Sequence, residues 1–167
     1  TFNTLVIAGG GGGGADGGSG GGSGSMYEAT VNLNGNTGRQ FALTVGGGGT
    51  RVMHTAICGE AFTSGSAGGN SSITQSTAGF SITTYGGSPG AWPAQYYAVA
   101  GGAGGAAPVA NAGSFSLSNA GSYSGRRGAD VEQWQYARAG YSGLDGATSA
   151  LFGGQFIGAG GSGAHMD

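Results

Sequence analysis

The sequence predicts a mostly irregular and β fold without α-helix, in which a small antiparallel sheet packs with a bundle of polyglycine II helices. Glycine supplies 43 of the 167 residues, so almost every window contains several of these helix-breaking residues. Short apolar or aromatic segments alternate with glycine runs along the whole chain. Hydrophobic residues make up 38% of the chain, a content that disfavours the alternative of a disordered low-complexity protein.

Four segments have the composition and alternation of strands. Residues 2–8 are a short apolar run, residues 26–33 and 40–45 alternate apolar with polar side chains, and residues 80–85 form the fourth candidate. The stretch NGNTGR at 34–39 has the chemistry of a hairpin loop. We therefore predict that the first three segments form one antiparallel sheet, with the second and third joined as a hairpin, and that the fourth segment joins the same sheet.

The glycine runs between these segments are predicted to form the core of the bundle. Polyproline II geometry has three residues per turn and no internal hydrogen bonds, so its N–H and C=O groups all point outward. Many such helices side by side can pair these groups, and glycine lets the backbones approach closely. The runs lie at 9–14, 17–24, 46–49, 65–69, 86–90, 101–105, 140–146 and 153–163.

Run composition predicts the position of each run in the bundle. The all-glycine run 9–14 has three bare faces, so we expect it to be the central helix, spanning roughly 19 Å at about 3.1 Å per residue. Mixed runs are expected at the rim. A Cβ at Gly11 or Gly47 is expected to collide with a neighbouring backbone, whereas Gly161 in an outer type of run is expected to be more tolerant.

Charge and cysteine content exclude several classes of partner. Charged residues make up only 7% of the chain, the net charge is −2, and all five basic residues are arginine. This composition predicts no binding to nucleic acid or to an anionic membrane. No stretch is long and apolar enough to predict membrane insertion. Cys58 is the only cysteine, so no intrachain disulfide is possible.

Each catalytic motif in the sequence lacks the neighbouring elements or ligands that its chemistry requires. The run LVIAGGGGGG satisfies G-x-G-x-x-G, but no helix pattern or acidic strand end follows it. His54, Cys58 and Glu60 would make an open metal site that is short of ligands, so an ordinary loop or strand is favoured there. Asp130 with Glu132 is more simply a solvated loop among arginines. The chain is predicted to be non-enzymatic, with no cofactor and no metal.

Two aromatic segments are the candidate receptor or partner sites. They span 91–100 and 126–141, and they combine tryptophan, tyrosine and arginine, the residue types enriched in binding hot spots. The alternative is that these rings pack over the open ends of the bundle or against a neighbouring subunit. The candidate residues are Trp92, Tyr96, Tyr97, Arg126, Arg127, Trp134, Tyr136, Arg138 and Tyr141.

An ordered set of motifs resembles the glycine-rich domains of bacteriophage tail-fibre and tail-tip proteins. The motifs are LVIAGGGGGG (5–14), YEATVNL (27–33), FALTVGGGG (41–49), GNSSI (69–73), FSITTYGGSPG (80–90) and GAGGSG (158–163). The resemblance covers residues 2–90 well and the rest only in style. It implies a polyglycine II bundle whose variable loops bind host outer-membrane proteins.

The sequence and the resemblance together predict a single glycine-rich domain over 1–167, with its β-containing part at 1–50 and 80–85 and polyglycine II runs with aromatic loops at 51–167. The expected function is that of a virion protein, a phage tail adhesin or tail-tip domain that contacts a bacterial surface protein or glycan and other tail subunits. The alternative is a structural assembly protein, such as a capsid decoration, fibre or extracellular filament subunit. The expected location is the virion or the extracellular space. An ice-binding protein is less favoured because its threonines would be regularly spaced.

Overall fold

Antiparallel strands and irregular extended segments make up the structure. The computed structural model describes residues 1–14, 18–36, 38–51, 65–91, 100–130, 146–154 and 156–157, and these ranges contain no helix. The strands are β1 (Phe2–Ile7), β2 (Met26–Asn32), β3 (Ala42–Thr44), β4 (Ser71–Gln75), β5 (Phe80–Thr84), β6 (Val109–Asn111), β7 (Ser116–Tyr123), β8 (Ala147–Thr148) and β9 (Phe156–Ile157). The prediction of a mostly irregular and β fold is confirmed.

Two sheets pack face to face. Sheet A has the strand order β1–β2–β7, sheet B has the order β3–β4–β5–β6, and β8 pairs with β9. The apolar face of β2, with Ala29 and Val31 fully buried, meets Ile82 of β5 across the core. Four phenylalanine rings close one side of this core, with centroid distances of 5.4 Å, 5.8 Å and 5.4 Å between successive rings, and they are Phe2, Phe41, Phe80 and Phe115.

The predicted hairpin between 26–33 and 40–45 is wrong. The Asn34–Gly35 turn does form, with both residues at positive φ and with the Asn36 N–H donating to the Leu33 carbonyl at 2.9 Å. The chain then crosses to the other sheet, where β3 pairs with β4. β2 pairs with β1, as predicted, and with β7. Alternation in 40–45 identifies neither the partner of the strand nor a buried face, because Phe41 packs against the core whereas every residue of β3 is exposed. The prediction that 80–85 joins the sheet of 2–8 and 26–33 is also wrong, since β5 lies in sheet B between β4 and β6.

Seven extended segments leave the sheets and form a backbone-bonded layer beside them, which we call the glycine lattice. Each segment begins or ends at a strand of sheet A or sheet B, so one end of the lattice adjoins the sheets and the other end is remote from them. The bonds between the segments join residues far apart in sequence, such as the Gly9 N–H to the Gly69 carbonyl at 3.0 Å. The segments are 8–14, 18–25, 45–51, 65–70, 85–91, 100–108 and 124–130.

The central segment of the lattice is 18–25, not the all-glycine run 9–14. Every residue of 18–25 is buried, whereas most of 9–14 is half-buried. Backbone bonds join 18–25 to four other segments, as for Ser19 N–H to the Ala91 carbonyl at 3.0 Å and Gly20 N–H to the Ala129 carbonyl at 3.0 Å. A strand in a sheet bonds to two neighbours, so this arrangement pairs backbone groups in two dimensions.

The bonds between segments recur at every third residue. The N–H groups of Ala8, Gly11 and Gly14 donate in turn to the carbonyls of Ser25, Gly22 and Ser19, at 3.0, 2.8 and 3.0 Å. Three is the residue period of polyproline II geometry. The lattice therefore has the spacing that a polyglycine II bundle requires, while polyglycine II geometry of the individual runs stays a prediction.

The expected collision at Gly47 is wrong. An ideal Cβ built on Gly47 meets no atom within 4 Å, because the segment 45–51 lies on the outside of the lattice. At Gly11 the Cβ would stand 2.0 Å from the Ser88 carbonyl oxygen, so the expected collision there is confirmed. Gly161 lies outside the described residues.

Serine supplies a reciprocal bond at four places in the lattice. In each pair the serine N–H donates to the carbonyl of a residue on the neighbouring segment, and the N–H of that same residue donates back to the serine Oγ. For Ser23 and Arg126 the two distances are 2.8 and 2.7 Å. The other pairs are Ser19 with Ala91, Ser25 with Tyr85, and Ser66 with Thr50. Serine can therefore occupy the centre of the lattice, because its hydroxyl satisfies a backbone N–H.

Ser23→Ala is expected to lower the free energy of unfolding by about 1–3 kcal/mol, because the backbone N–H of Arg126 loses its acceptor. Urea unfolding of the two proteins measures the difference. Ser124→Ala is the matched control, since Ser124 is exposed on the segment that contains Arg126. Equal stability of the two variants would mean that the reciprocal bond contributes nothing.

Candidate loop-bearing end and buried carboxylate

Two of the predicted site residues lie in the described part of the chain. Arg126 and Arg127 are both exposed, on the lattice segment that follows β7. The remaining candidates lie outside the described residues, and they are Trp92, Tyr96, Tyr97, Trp134, Tyr136, Arg138 and Tyr141.

The lattice holds the backbone of Arg126 and the side chain of Arg127. Arg126 is held to the central segment through Ser23, as described above. The Arg127 guanidinium pairs with Asp130 at 2.5 Å, and Oδ1 of Asp130 also accepts the Gly101 N–H at 2.7 Å. The ion pair is half-exposed and contributes roughly 0.2–1 kcal/mol, so its main effect is to orient Arg127.

Ser19 joins the two sides of the first aromatic segment. Its Oγ accepts the Ala91 N–H at 2.9 Å and donates to the Ala100 carbonyl at 2.7 Å. The same hydroxyl group therefore hydrogen-bonds to residues 91 and 100, which are the described residues on either side of 92–99.

Residues 129 and 130, which precede the part of the second aromatic segment that lies outside the described residues, lie beside Ser19 as well. The Gly20 N–H, next to Ser19, donates to the Ala129 carbonyl at 3.0 Å, and Asp130 accepts from Gly101. Both flanks of 92–99 and Asp130, the last described residue before 131–145, thus lie together at the end of the lattice remote from the sheets, which we call the loop-bearing end. Sequence reasoning selected the two segments but missed Ser19, because a lone serine among glycines carries no local signal. It interpreted Asp130 as part of a solvated loop and did not predict its bond to the Gly101 N–H.

A buried carboxylate lies on the outer face of sheet A. Glu28 of β2 is 1% exposed and points away from the core between the sheets. Its Oε1 accepts the Tyr123 hydroxyl at 3.2 Å and the Ala150 N–H at 3.0 Å. Its Oε2 accepts the Ser149 hydroxyl and the Leu151 N–H, the latter at 3.3 Å. Glu28 therefore holds the segment 146–152 against this sheet.

The hydrogen bonds keep Glu28 ionised despite its burial. Burial alone raises the pKa of Glu28, but the bonds from Ser149, Ala150, Leu151 and Tyr123 favour the charged form, and the net effect lowers the pKa. Burial, followed by the bond to Glu28 and its charge, raises the pKa of Tyr123. Every polar partner of the carboxylate is a donor, so the arrangement anchors a segment and provides no free base.

The described ranges hold no group of three or more His, Cys, Asp and Glu residues that could bind a metal ion. The candidates His54, Cys58 and Glu60 lie outside them. In the same ranges no helix is long and apolar enough to cross a membrane.

These features define a glycine-rich domain in which backbone bonding between runs forms a second core beside a small two-sheet core. The chain belongs to the family described as the glycine-rich domain, whose family model matches residues 1–167. Comparison with curated proteins found no match. Comparison with solved structures likewise found none.

Proposed function

We propose that this chain is a non-enzymatic virion protein, a phage tail-fibre or tail-tip domain that presents its aromatic segments to the bacterial surface. The observation that carries the proposal is the loop-bearing end, where both flanks of 92–99 lie beside Ala129 and Asp130, the residues that precede 131–145. The resemblance of the motifs in 2–90 to tail-fibre glycine-rich domains supports the same function.

A backbone lattice is a suitable support for recognition loops. Each flanking residue is bonded to a buried segment, so little conformational freedom is left to lose there on binding. Tryptophan, tyrosine and arginine give large contact area and directed hydrogen bonds, and the two segments concentrate these residue types. The expected partners are a bacterial surface protein or glycan and other tail subunits, and the expected location is the virion.

The double variant Trp134→Ala with Arg127→Ala is expected to fold and to lose adsorption to bacterial cells. The assay mixes fluorescently labelled protein with a panel of intact bacterial strains and measures the cell-bound fraction. Arg39→Ala is the control, because Arg39 is also exposed but follows β2 at the end occupied by the sheets. Wild-type adsorption by the folded double variant would contradict the assignment of 126–141, and unfolding would mean that this segment belongs to the core.

The second candidate function is that of a structural assembly protein, such as a capsid decoration, fibre or filament subunit. The exposed edge strand β3 favours it, because such an edge can pair with another chain. The location of the chain distinguishes the two functions: a position at a fibre tip supports adhesion, and a periodic array supports assembly. Immunogold labelling of particles or filaments that contain the chain gives this location.

A further inference from the structure

The turn that follows β2 contains the only Asn–Gly pair in the sequence, Asn34–Gly35. Both residues are exposed, and both have positive φ, at 50° and 82°. The bond from the Asn36 N–H to the Leu33 carbonyl, at 2.9 Å, closes the turn. An exposed pair of this kind is chemically reactive, because the backbone nitrogen of the second residue can attack the side-chain amide of the first.

The backbone nitrogen of Gly35 is open to solvent. Among the described residues its N–H donates to no acceptor. An ideal Cβ built on Gly35 meets no atom within 4 Å, so neighbouring groups leave this side of the residue free. Glycine has no side chain of its own to obstruct an approach to the nitrogen. Solvent base can therefore remove the proton of this N–H and expose a nucleophile.

The side-chain amide of Asn34 is held by two bonds at the surface. Its Nδ2 donates to the Ser114 carbonyl at 3.1 Å, and its Oδ1 accepts the Ser116 hydroxyl at 3.3 Å. Both bonds are exposed, so water competes for them and the side chain can turn away from the start of β7 towards Gly35. The same two bonds join the connection after β2 to β7, so a change in the amide alters this junction.

We propose that Asn34 is a site of spontaneous deamidation, through a cyclic imide formed with the backbone nitrogen of Gly35. Hydroxide removes the N–H proton of Gly35, and the nitrogen attacks Cγ of Asn34. As the new C–N bond forms, the Cγ–Nδ2 bond breaks, and Nδ2 takes a proton from water and leaves as ammonia. Water then adds to either carbonyl carbon of the imide ring, and ring opening gives aspartate or isoaspartate. The reaction consumes water and needs neither an oxidant nor an enzyme.

Asn119 provides an internal comparison for this assignment. It is also exposed and has φ 49°, almost the value of Asn34, but it precedes Ala120. The methyl group of alanine stands beside the nitrogen that would have to attack. Each of the other asparagines likewise precedes a residue with a Cβ. Exposure and positive φ are therefore shared by the two sites, whereas an unobstructed nucleophile is present only at Asn34.

Deamidation removes a bond between the turn and β7. A carboxylate accepts hydrogen bonds but cannot donate them, so the Ser114 carbonyl loses its donor and faces a negatively charged oxygen. Isoaspartate also lengthens the main chain, which disturbs the bond that closes the turn. Each event adds one negative charge to a protein whose net charge is −2, so anion exchange separates modified from unmodified molecules. The modified fraction is expected to melt at a lower temperature.

Incubation of the folded full chain in mildly alkaline buffer, made with water labelled with heavy oxygen, tests the proposal. Peptide mass spectrometry measures the conversion at each asparagine, and incorporated label shows that conversion took place during the incubation. We expect conversion at Asn34 to be roughly tenfold faster than at Asn119, because glycine alone leaves the nitrogen unobstructed. We also expect the rate to rise with pH and isoaspartyl methyltransferase to label the product.

Gly35→Asn is the matched variant, because asparagine tolerates positive φ and a Cβ at this position has free space. It is expected to fold, as judged by circular dichroism, and to convert Asn34 roughly tenfold more slowly than the wild type does. An unchanged Asn34 in the wild type would overturn the proposal, because it would mean that the turn keeps the amide away from Gly35. Equal rates at Asn34 and Asn119, or in the wild type and the variant, would exclude Gly35 as the cause. If the variant does not fold, the comparison of Asn34 with Asn119 still decides. The outcome is independent of bacterial adsorption, so this proposal and the adhesin proposal can fail separately.

Discussion

Replacement of Gly11 by alanine is expected to abolish or severely weaken folding, whereas the same change at Gly13, two residues along the run, is expected to be tolerated. The Cβ at position 11 would stand 2.0 Å from the carbonyl oxygen and 2.4 Å from the carbonyl carbon of Ser88. At position 13 the Cβ would meet only the Ser19 carbonyl oxygen, at 3.9 Å, which is ordinary contact.

The size of the effect follows from which atoms must move. Overpacking against side chains usually costs about 1–3 kcal/mol, because side chains can rotate away. Ser88 presents backbone, and its carbonyl accepts the Gly22 N–H at 2.9 Å, so movement breaks a bond to the central segment. We therefore expect Gly11→Ala to exceed this range. Gly13→Ala is expected to be neutral or stabilising by up to about 1 kcal/mol, because alanine restricts the unfolded chain.

Thermal melting of the wild type and the two alanine variants measures both effects. Both substitutions remove one glycine from the same run, so the loss of glycine flexibility in the unfolded chain is common to them. A similar melting temperature for the two variants would contradict the close approach of segments 8–14 and 85–91 and, with it, the lattice.

Several strands could be predicted from the sequence because their apolar residues alternate. β1, β2 and β5 lie within a residue or two of the predicted segments 2–8, 26–33 and 80–85. β7 was missed because Leu117 is its only large aliphatic residue, and its sequence SLSNAGSY resembles that of the loops. β4 was not predicted as a strand because Ile73 is its only large aliphatic residue, although Ile73 is buried in the core.

The pairings of β2 with β7 and of β3 with β4 could not be predicted, because the partner of a strand depends on the rest of the chain. β2 is flanked by β1 and by β7, and β7 lies far along the sequence. Both edges of β2 are therefore paired, and β3 pairs in the second sheet. The good turn at Asn34–Gly35 favoured a hairpin, but a turn fixes only the local direction of the chain.

The central position of 18–25 was mispredicted for a related reason. An all-glycine run has no side chain on any of its faces, so composition alone favoured 9–14 as the centre. Ser19, Ser23 and Ser25 occupy the centre because each hydroxyl accepts a backbone N–H of a neighbouring segment. These partners lie 60 to 103 residues away in sequence, so no local pattern reveals them.

The candidate site was predictable in composition but not in geometry. Arginine and aromatic enrichment in a nearly uncharged chain selected the segment that begins at Arg126. The convergence of its start with both flanks of 92–99 depends on Ser19 and Gly20, through bonds to residues 72 to 109 positions away. Glu28 was read only as part of a polar strand face, because its burial is produced by the distant segment 146–152.

Glu28→Gln is expected to lower the free energy of unfolding at neutral pH by about 1.5–3 kcal/mol, the range for hydrogen bonds to charged groups. Each carboxylate oxygen accepts one hydroxyl and one backbone N–H. A hydroxyl can rotate to meet the glutamine NH₂, but a backbone N–H cannot become an acceptor. Whichever way the amide is oriented, Ala150 or Leu151 loses its acceptor, and the segment 146–152 is expected to lose protection from hydrogen exchange.

The effect of Glu28→Gln is expected to depend on pH in a defined direction. The pKa of Glu28 in the folded protein is lowered from its ordinary value of 4.5, so the carboxylate adds stability above that value and loses it as pH falls through the lower folded pKa. The difference in urea unfolding between the wild type and the variant should therefore be full at pH 7 and shrink in acid. Asp130→Asn is the matched control, because its half-exposed pair with Arg127 contributes little. A difference that stays constant from neutral to acid pH would mean that shape, and not the charge of Glu28, holds the segment in place.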